Sequence, residues 1–156
     1  MIYMKDSIEV NAPAEKVFQW LTQRLTDKDS YKAWHPDHVD IRWIKGKPLE
    51  EGSIVYAEEY LHGDLHKLKF CIVKIVPNSL IEYRILFPLS IIAAANKFII
   101  EPKTDNSCTF TASGSIRMPQ WLFKRMHKKH EHKIEATKQH MKEEGENLKK
   151  AVEIDL

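Results

Sequence analysis

One pair of residues near the C-terminus has the spacing of a metal-binding motif. His127 and Glu131 are four residues apart in a segment with helical periodicity, so both side chains would lie on one face of a helix, one turn apart. An imidazole and a carboxylate held in this way are common zinc ligands. The simpler alternative is a surface ion pair, which stabilises a helix by only a few tenths of a kcal/mol. The metal hypothesis therefore requires further ligands from elsewhere in the chain.

Candidate ligands occur in two segments closer to the N-terminus. His35 and His38 follow a short predicted helix, where the chain enters a series of β-rich runs. Glu59 alternates with apolar residues, whereas Glu58 alternates with two tyrosines, so Glu59 is expected to point inward. One of these histidines, one glutamate and the helical pair would form a nitrogen and oxygen site suited to Zn²⁺, with Fe²⁺ or Mn²⁺ as alternatives. The pattern leaves open which histidine and which glutamate would bind the metal.

The elements that must position these side chains follow a simple order. Ser7 to Asn11 alternates with period two and predicts a first strand, and Asn11 is expected to cap a helix that follows. A second short helix is predicted from Asp27 to Trp34. Turn residues then separate six β-rich runs, which favours an antiparallel meander. The runs are Val39–Lys45, Ser53–His62, Leu65–Val76, Leu80–Phe87, Ile91–Glu101 and Cys108–Met118.

A single long helix is predicted from Pro119 to about Val152. Roughly 33 residues at 1.5 Å per residue give a helix about 50 Å long. Its inward stripe is expected to contain Phe123, His127, His130, Glu131, Ile134, Thr137, Met141, Leu148 and Val152. His132 and His140 fall outside this stripe and are assigned to the outer or lateral faces of the helix.

This order of elements resembles the START-like (SRPBCC) superfamily, whose members share the helix-grip fold. The opening segment Ile8–Phe18 is similar to the beginning of many members. The resemblance covers the whole chain, residues 1–156, as a single domain of the α+β class. It implies a curved antiparallel sheet of about seven strands around the long C-terminal helix. It also implies two short helices after the first strand and a cavity between the sheet and the long helix.

Within that superfamily, a few positions resemble the diacetylphloroglucinol hydrolase family. They are the segment Trp34–Pro36, Glu59 one strand later, and His127 and Glu131 on the last helix. Members of that family are zinc-dependent enzymes that cleave a carbon–carbon bond and release an acetyl group. The resemblance implies four zinc ligands, His35, Glu59, His127 and Glu131.

Two functional hypotheses follow. The first is a metal-dependent hydrolase acting on a small aromatic or polyketide-like ketone, with His38, His130 and Tyr83 as candidate catalytic residues for proton transfer. The alternative is a non-enzymatic carrier or sensor of an apolar small molecule, which the fold alone would support. A carrier has no reason to bury two carboxylates and two imidazoles together, so the polar cluster favours the enzyme.

Composition narrows the range of partners. The formal net charge is +2 in 156 residues, which gives no electrostatic basis for binding nucleic acid. The most apolar stretch, Ile85 to Ile100, is interrupted by a proline and two polar residues and is too short to span a membrane. Two cysteines, Cys71 and Cys108, and an N-terminus without a signal sequence favour a cytoplasmic location. We therefore expect a small hydrophobic or aromatic ligand, with no nucleic acid and no membrane partner. The sequence leaves open whether the protein forms a homodimer.

Overall fold

Strands and helices account for most of the described chain in the computed structural model. It describes residues 2–61, 63–87, 91 and 93–154, without the side chains of residues 93, 94, 123 and 126–133. The elements are β1 (Ile2–Val10), α1 (Ala14–Arg24), α2 (Lys28–Trp34), β2 (His38–Lys45), β3 (Ile54–Leu61), β4 (Asp64–Val76), β5 (Leu80–Ile85), β6 (Ala93–Thr104), β7 (Ser107–Ile116) and α3 (Gln120–Ile154).

The described strands form one curved antiparallel sheet in the order β1-β7-β6-β5-β4-β3-β2. Strands β2 to β6 each pair with the next strand along the chain, as short turns between β-rich runs predict. Strand β1 pairs instead with β7, the last of the described strands. Helix α3 packs against β1, β3 and β7 and also contacts α1 and α2. The predicted α+β helix-grip architecture is confirmed.

The start of the chain differs from the sequence-based expectation. Strand β1 begins at Ile2 rather than Ser7 and alternates between half-buried and exposed residues. The predicted cap of α1 by Asn11 is wrong, because Pro13 occupies the N-cap position and no side chain caps the helix. The backbone N–H of Asn11 donates instead to Glu153 Oε1 at 2.8 Å, which ties this turn to the end of α3.

The C-terminal half of α3 is packed tightly against the sheet. Leu148 and Val152 are almost completely buried, at 0% and 1% exposure. Gly145 faces β1, and a Cβ atom at this position would lie 3.3 Å from Ile8 Cγ2. Glycine therefore allows the helix to approach the strand closely. No helix in the part of the chain that the structure describes is long and apolar enough to cross a bilayer.

Helix α2 is joined to α3 by two hydrogen bonds that meet at Trp34. The indole Nε1–H of Trp34 donates to the backbone oxygen of Glu144 at 3.0 Å. The side-chain amide of Asn147 donates to the backbone oxygen of Trp34, also at 3.0 Å. These bonds hold the turn of α3 that carries Glu144 beside the end of α2.

Candidate metal and ligand site

The sheet brings His38 and Glu59 together. They are direct partners in the register of β2 and β3, and His38 Nε2 lies 3.9 Å from Glu59 Oε2. Glu59 points into the cavity, as its alternation with apolar residues predicts. Glu58 lies on the other face of the strand, where it accepts a hydrogen bond of 2.6 Å from the Tyr56 hydroxyl.

Helix α3 contributes His140 and Glu144 to the same place. Their exposures are 7% and 8%, so the prediction that His140 lies on an outer or lateral face is wrong. His140 Nε2 lies 3.1 Å from Glu144 Oε1 and 3.9 Å from Glu59 Oε2. His38 Nε2 lies 3.4 Å from Glu144 Oε2. We refer to His38, Glu59, His140 and Glu144 as the His/Glu cluster.

Tyr31 on α2 orients both members of the cluster that lie on the sheet. The hydroxyl of Tyr31 donates to Glu59 Oε2 at 2.8 Å. Its backbone oxygen is 2.9 Å from His38 Nδ1. Because a carbonyl oxygen only accepts, Nδ1 must carry the proton in this bond. A neutral His38 therefore has its lone pair on Nε2, the atom that faces the two carboxylates.

Three imidazole nitrogens of the cluster are buried without an aligned hydrogen bond. They are His38 Nε2, His140 Nδ1 and His140 Nε2. The ligand atoms of His38, His140 and Glu144 all lie within 4.8 Å of one another. Zinc bonds of about 2.0–2.1 Å in a tetrahedron place neighbouring ligand atoms roughly 3.3 Å apart, close to the spacings found between these residues. The donor set therefore fits a divalent cation.

Without a cation, the charges of the cluster compensate one another. Burial alone would raise the pKa of Glu144, but the neighbouring His140 and His38 outweigh burial and bring its pKa down to about 2. Burial alone would lower the pKa of His140, but Glu144, Glu59 and Asp37 raise its pKa to about 9. His140 and Glu144 are thus an ion pair near neutral pH.

His35, one of the predicted ligands, lies beside the cluster and uses both ring nitrogens elsewhere. Its Nδ1 accepts a hydrogen bond of 2.9 Å from the backbone N–H of Asp37. Its Nε2 is therefore the protonated nitrogen, and it donates to Glu143 Oε2 at 2.8 Å. This contact lowers the pKa of Glu143. Together with Asp37 and His140, His35 forms a second group whose ligand atoms all lie within 4.8 Å of one another.

Three other predicted site residues, His127, His130 and Glu131, have side chains outside the part that the structure describes. Their backbone belongs to α3. Their assignment as ligands and catalytic residue stays a prediction.

Two adjacent chambers lie beside the cluster. The larger chamber, of about 310 Å³, lies between the sheet and the middle of α3, where Thr137 and Met141 face it. The smaller chamber, of about 100 Å³, lies between the sheet and α2. Five residues line both chambers, and we refer to this shared boundary as the junction: Glu59, Phe70, Tyr83, Phe98 and Glu144.

Tyr83 was predicted to be a catalytic candidate and faces this junction. Burial, followed by the charges of Glu144 and Glu59, raises the pKa of its hydroxyl. Tyr83 is therefore neutral across the physiological pH range and retains its proton for donation.

The sequence contains a signal that would have identified His140 and Glu144. The predicted inward stripe of the last helix has a gap between Met141 and Leu148, and Glu144 lies in that gap, four residues before Leu148. His140 and Glu144 also repeat the spacing of His127 and Glu131. The same rule that identified the first pair applies equally to the second.

Sequence comparison assigns the family. Residues 1–153 match the polyketide cyclase / dehydrase and lipid transport family. The chain belongs to this family. No curated protein sequence matches the chain. Family membership, together with the two chambers, supports a function in binding a small molecule.

Solved structures of similar fold include two aromatase/cyclases and norcoclaurine synthase. The Zhui aromatase/cyclase from Streptomyces sp. R1128 has a TM-score of 0.72 at 13% identity, covering 97% of this chain and 93% of that one. Norcoclaurine synthase from Thalictrum flavum has a TM-score of 0.66 at 13% identity, covering 97% and 93%. The di-domain aromatase/cyclase BexL of the BE-7585A pathway has a TM-score of 0.65 at 15% identity, covering 98% of this chain. The chain spans 47% of BexL, about half its length. At these identities the likeness shows the fold alone.

Proposed function

We propose that this protein is a metal-dependent hydrolase that cleaves a carbon–carbon bond of a small aromatic ketone. The metal site is the His/Glu cluster, and the two chambers bind the ketone. The observation that carries the proposal is the set of three buried imidazole nitrogens that lie beside carboxylates without an aligned hydrogen bond. Buried polar atoms that make no well-aligned hydrogen bond are uncommon, and a cation held between these imidazoles and carboxylates would satisfy them.

The proposed ligands differ in part from those that the family resemblance implies. Glu59 is retained, whereas His38 replaces His35, because His35 already uses both ring nitrogens. His140 and Glu144 replace the earlier helical pair, because their side chains lie beside Glu59. The two helical pairs are 13 residues apart, roughly 20 Å along a helix, so they cannot bind the same ion.

The surroundings of the cluster support this assignment. Histidines that bind metals usually donate their second N–H to a carbonyl or carboxylate, which fixes the ring. His38 does so to the backbone oxygen of Tyr31, and His140 Nδ1 faces Asp37 Oδ2 at 3.8 Å. Glu59 is held by the hydroxyl of Tyr31. Each proposed ligand from the sheet thus has a supporting partner.

The reaction adds water across the bond between the ring and the carbonyl carbon. A bound divalent ion supplies polarisation of the ketone carbonyl and activation of water as a nucleophile. The carbonyl carbon gains the hydroxyl and leaves as a carboxylic acid, while the ring carbon gains a proton and leaves as the arene. Tyr83, which stays protonated at the junction, donates this proton and recovers one from the attacking water.

Elemental analysis tests the metal site. Protein purified without chelators or nickel resin should contain zinc, iron or manganese at close to one equivalent. The variant His140→Ala/Glu144→Ala should lose it, because both ligands from α3 are removed. The matched control is His127→Ala/Glu131→Ala, which removes a pair of the same types and spacing from the same helix and should retain the metal. Absence of metal from the wild type after incubation with Zn²⁺ would refute the proposal.

Activity is tested with acylated phenols. The metal-loaded protein should release a carboxylic acid and the corresponding phenol in equal amounts, which proton NMR can follow without a coupled enzyme. The variant Tyr83→Phe should bind the ketone and lose turnover. If the protein binds metal but releases no acid from any acylated phenol, the proposed hydrolase activity is refuted and the proposed metal site stands.

A second candidate function is a carrier or sensor of an apolar small molecule. The observation that favours it is the ion pair of His140 and Glu144, whose charges balance without a metal. Native mass spectrometry distinguishes the two functions. A co-purified organic ligand in a metal-free protein would favour the carrier.

A further inference from the structure

We propose that His35, Asp37 and His140 bind a second zinc ion, through the ring nitrogen of His140 that the His/Glu cluster does not use. We refer to these three residues as the outer group, because the side chain of Asp37 is 47% exposed. The inference rests on the proposed function only for the first ion, in the His/Glu cluster. Spacing, the tautomer of His35, the two nitrogens of His140 and the surrounding charge each support it.

The spacing of the outer group leaves room for a cation. Asp37 Oδ2 lies 3.8 Å from His35 Nδ1 and 3.8 Å from His140 Nδ1. These distances are too long for hydrogen bonds, so an ion between the atoms would break no direct contact between the carboxylate and either ring. Tetrahedral zinc bonds of about 2.0–2.1 Å place ligand atoms roughly 3.3 Å apart. The outer group therefore needs to contract by only about 0.5 Å to bind zinc.

The tautomer of His35 provides a lone pair for this ion. Its Nε2 donates to Glu143 Oε2 at 2.8 Å, and its Nδ1 accepts from the backbone N–H of Asp37 at 2.9 Å. A histidine that binds a metal usually donates its other N–H to a carboxylate or carbonyl, and Glu143 has this role for His35. The ion would replace the Asp37 N–H at Nδ1. Because Asp37 is half-exposed, water can then accept from that N–H.

His140 presents a different nitrogen to each group. Its Nε2 lies 3.1 Å from Glu144 Oε1 in the His/Glu cluster, whereas its Nδ1 faces Asp37. The residue is only 7% exposed, and neither nitrogen makes an aligned hydrogen bond. One cation in the His/Glu cluster satisfies Nε2 and leaves Nδ1 without a partner. A second cation in the outer group satisfies Nδ1, and each ion displaces one proton from the ring.

Four carboxylates compensate the charge of two divalent ions. Glu59 and Glu144 lie beside His140 Nε2, while Asp37 lies beside Nδ1 and Glu143 is bonded to His35. The second ion would join the turn between α2 and β2, which carries His35 and Asp37, to His140 on α3. Three protein ligands leave a tetrahedral ion one position for water, which the exposure of Asp37 permits.

Equilibrium dialysis against Zn²⁺ tests the outer group. Chelator-treated wild type should bind two equivalents in two steps, the second weaker, so that the outer ion is lost during purification and restored by added zinc. Asp37→Asn should leave the first step unchanged. It should weaken the second by more than about 100-fold, the upper end of what loss of a supporting contact costs. If the second equivalent persists in Asp37→Asn, that ion binds elsewhere and the inference is overturned.

The matched control is Asp40→Asn. Asp40 is three residues from Asp37 in the sequence and pairs with Arg42 at 3.2 Å, so this variant should still bind two equivalents. Nitrogen NMR of the histidine side chains gives a readout on the wild type that needs no substitution. The second equivalent of zinc should shift Nδ1 of His35 and Nδ1 of His140. An unchanged His35 would overturn the inference.

A further variant, Glu144→Ala, separates this inference from the proposed function, because it removes a ligand of the His/Glu cluster and leaves the outer group intact. A single equivalent in the wild type that Asp37→Asn retains and Glu144→Ala loses would overturn the outer group alone. A single equivalent that Asp37→Asn loses and Glu144→Ala retains would support the outer group and overturn the metal site of the proposed function. No zinc in the wild type would overturn both.

Discussion

The imidazole of His38 lies flat against the ring of Tyr31, with 3.9 Å between the ring centroids and 4° between the planes. The same tyrosine accepts a hydrogen bond from His38 through its backbone and donates one to Glu59 through its hydroxyl. Tyr31 thus fixes the ring plane and tautomer of the histidine and the orientation of the carboxylate. Helix α2 controls the geometry of the two ligands that the sheet provides.

Removal of the Tyr31 hydroxyl should weaken metal binding. In Tyr31→Phe the stacked ring is retained, but Glu59 loses the hydrogen bond that orients it. Loss of such a supporting contact usually reduces metal affinity by about 10- to 100-fold, and we expect a decrease in this range in a zinc competition assay with a chelating dye. The control is Tyr56→Phe, which removes a tyrosine–glutamate bond of 2.6 Å on the other face of the sheet. Equal zinc affinities of the two variants would contradict the role given to Tyr31.

Neutralising Glu144 should lower the pKa of His140. The substitution Glu144→Gln preserves the side-chain volume and removes the negative charge. Burial, which lowers the pKa of His140, is then opposed by fewer charges. The pKa of His140 should fall from about 9 toward its ordinary value of 6.5 in the metal-free protein, as measured by NMR titration of the ring protons. Glu143→Gln is the matched control, because Glu143 instead contacts His35. An unchanged His140 pKa in Glu144→Gln would refute the ion pair.

The stability of the metal-free protein should depend on pH at both ends of the range. The pKa of Glu144 is depressed from 4.5 to about 2, so its contribution is present above pH 4.5 and is lost as the pH falls toward 2. The pKa of His140 is raised from 6.5 to about 9, so its contribution is complete below pH 6.5 and is lost as the pH rises toward 9. Because both pKa shifts arise from the same ion pair, its contribution to the free energy of unfolding is counted once, at roughly 3 kcal/mol.

Thermal unfolding of wild type and Glu144→Gln from pH 2 to 9 measures this dependence. The stability advantage of the wild type should be greatest between about pH 4.5 and 6.5 and should decline on both sides. A difference between the two proteins that stays constant over the whole range would show that the pair is not ionised.

Truncating the buried side chain of Leu148 on α3 should destabilise the fold. Leu148 is completely buried, and Leu148→Ala should lower the free energy of unfolding by about 2–5 kcal/mol, through lost apolar burial and a residual cavity. Ile154 near the end of the same helix is 81% exposed, and Ile154→Ala should change stability by less than about 0.5 kcal/mol. Urea unfolding followed by circular dichroism compares the two. Similar losses in both variants would contradict the packing described for α3.

The order and type of the elements could be predicted from the sequence because their patterns are local. Period-two alternation and turn residues located the strands, and the long helical stripe located α3. The extension of β1 to Ile2 could not be read in this way. Its pairing with β7, from Ile2 opposite Ile116, joins segments that are far apart in the sequence, and no local pattern records it.

The site could be predicted only in part, for a related reason. Strand alternation correctly placed Glu59 inside, because side chains on a strand alternate between faces. His35 directly follows α2, His38 begins β2, and both are buried, so their sequence positions do not separate them. Their hydrogen bonds distinguish the two histidines, because His35 bonds to Glu143 and His38 bonds to Tyr31. On α3, a polar residue in an apolar stripe is identified only when its partners on other elements are known.

The position of the last helix also bears on how the protein is made. During synthesis, β2 and β3 with His38 and Glu59 emerge well before α3 with Glu144. Until α3 is synthesised, it cannot pack against the concave face of the sheet. Strand β1 also has no neighbouring strand to pair with until β7 is synthesised. Pairing between distant segments is slow, and exposed edges favour aggregation. A ribosome-bound chain halted before α3 should therefore need a chaperone, and the binding cavity exists only once synthesis of the helix is complete.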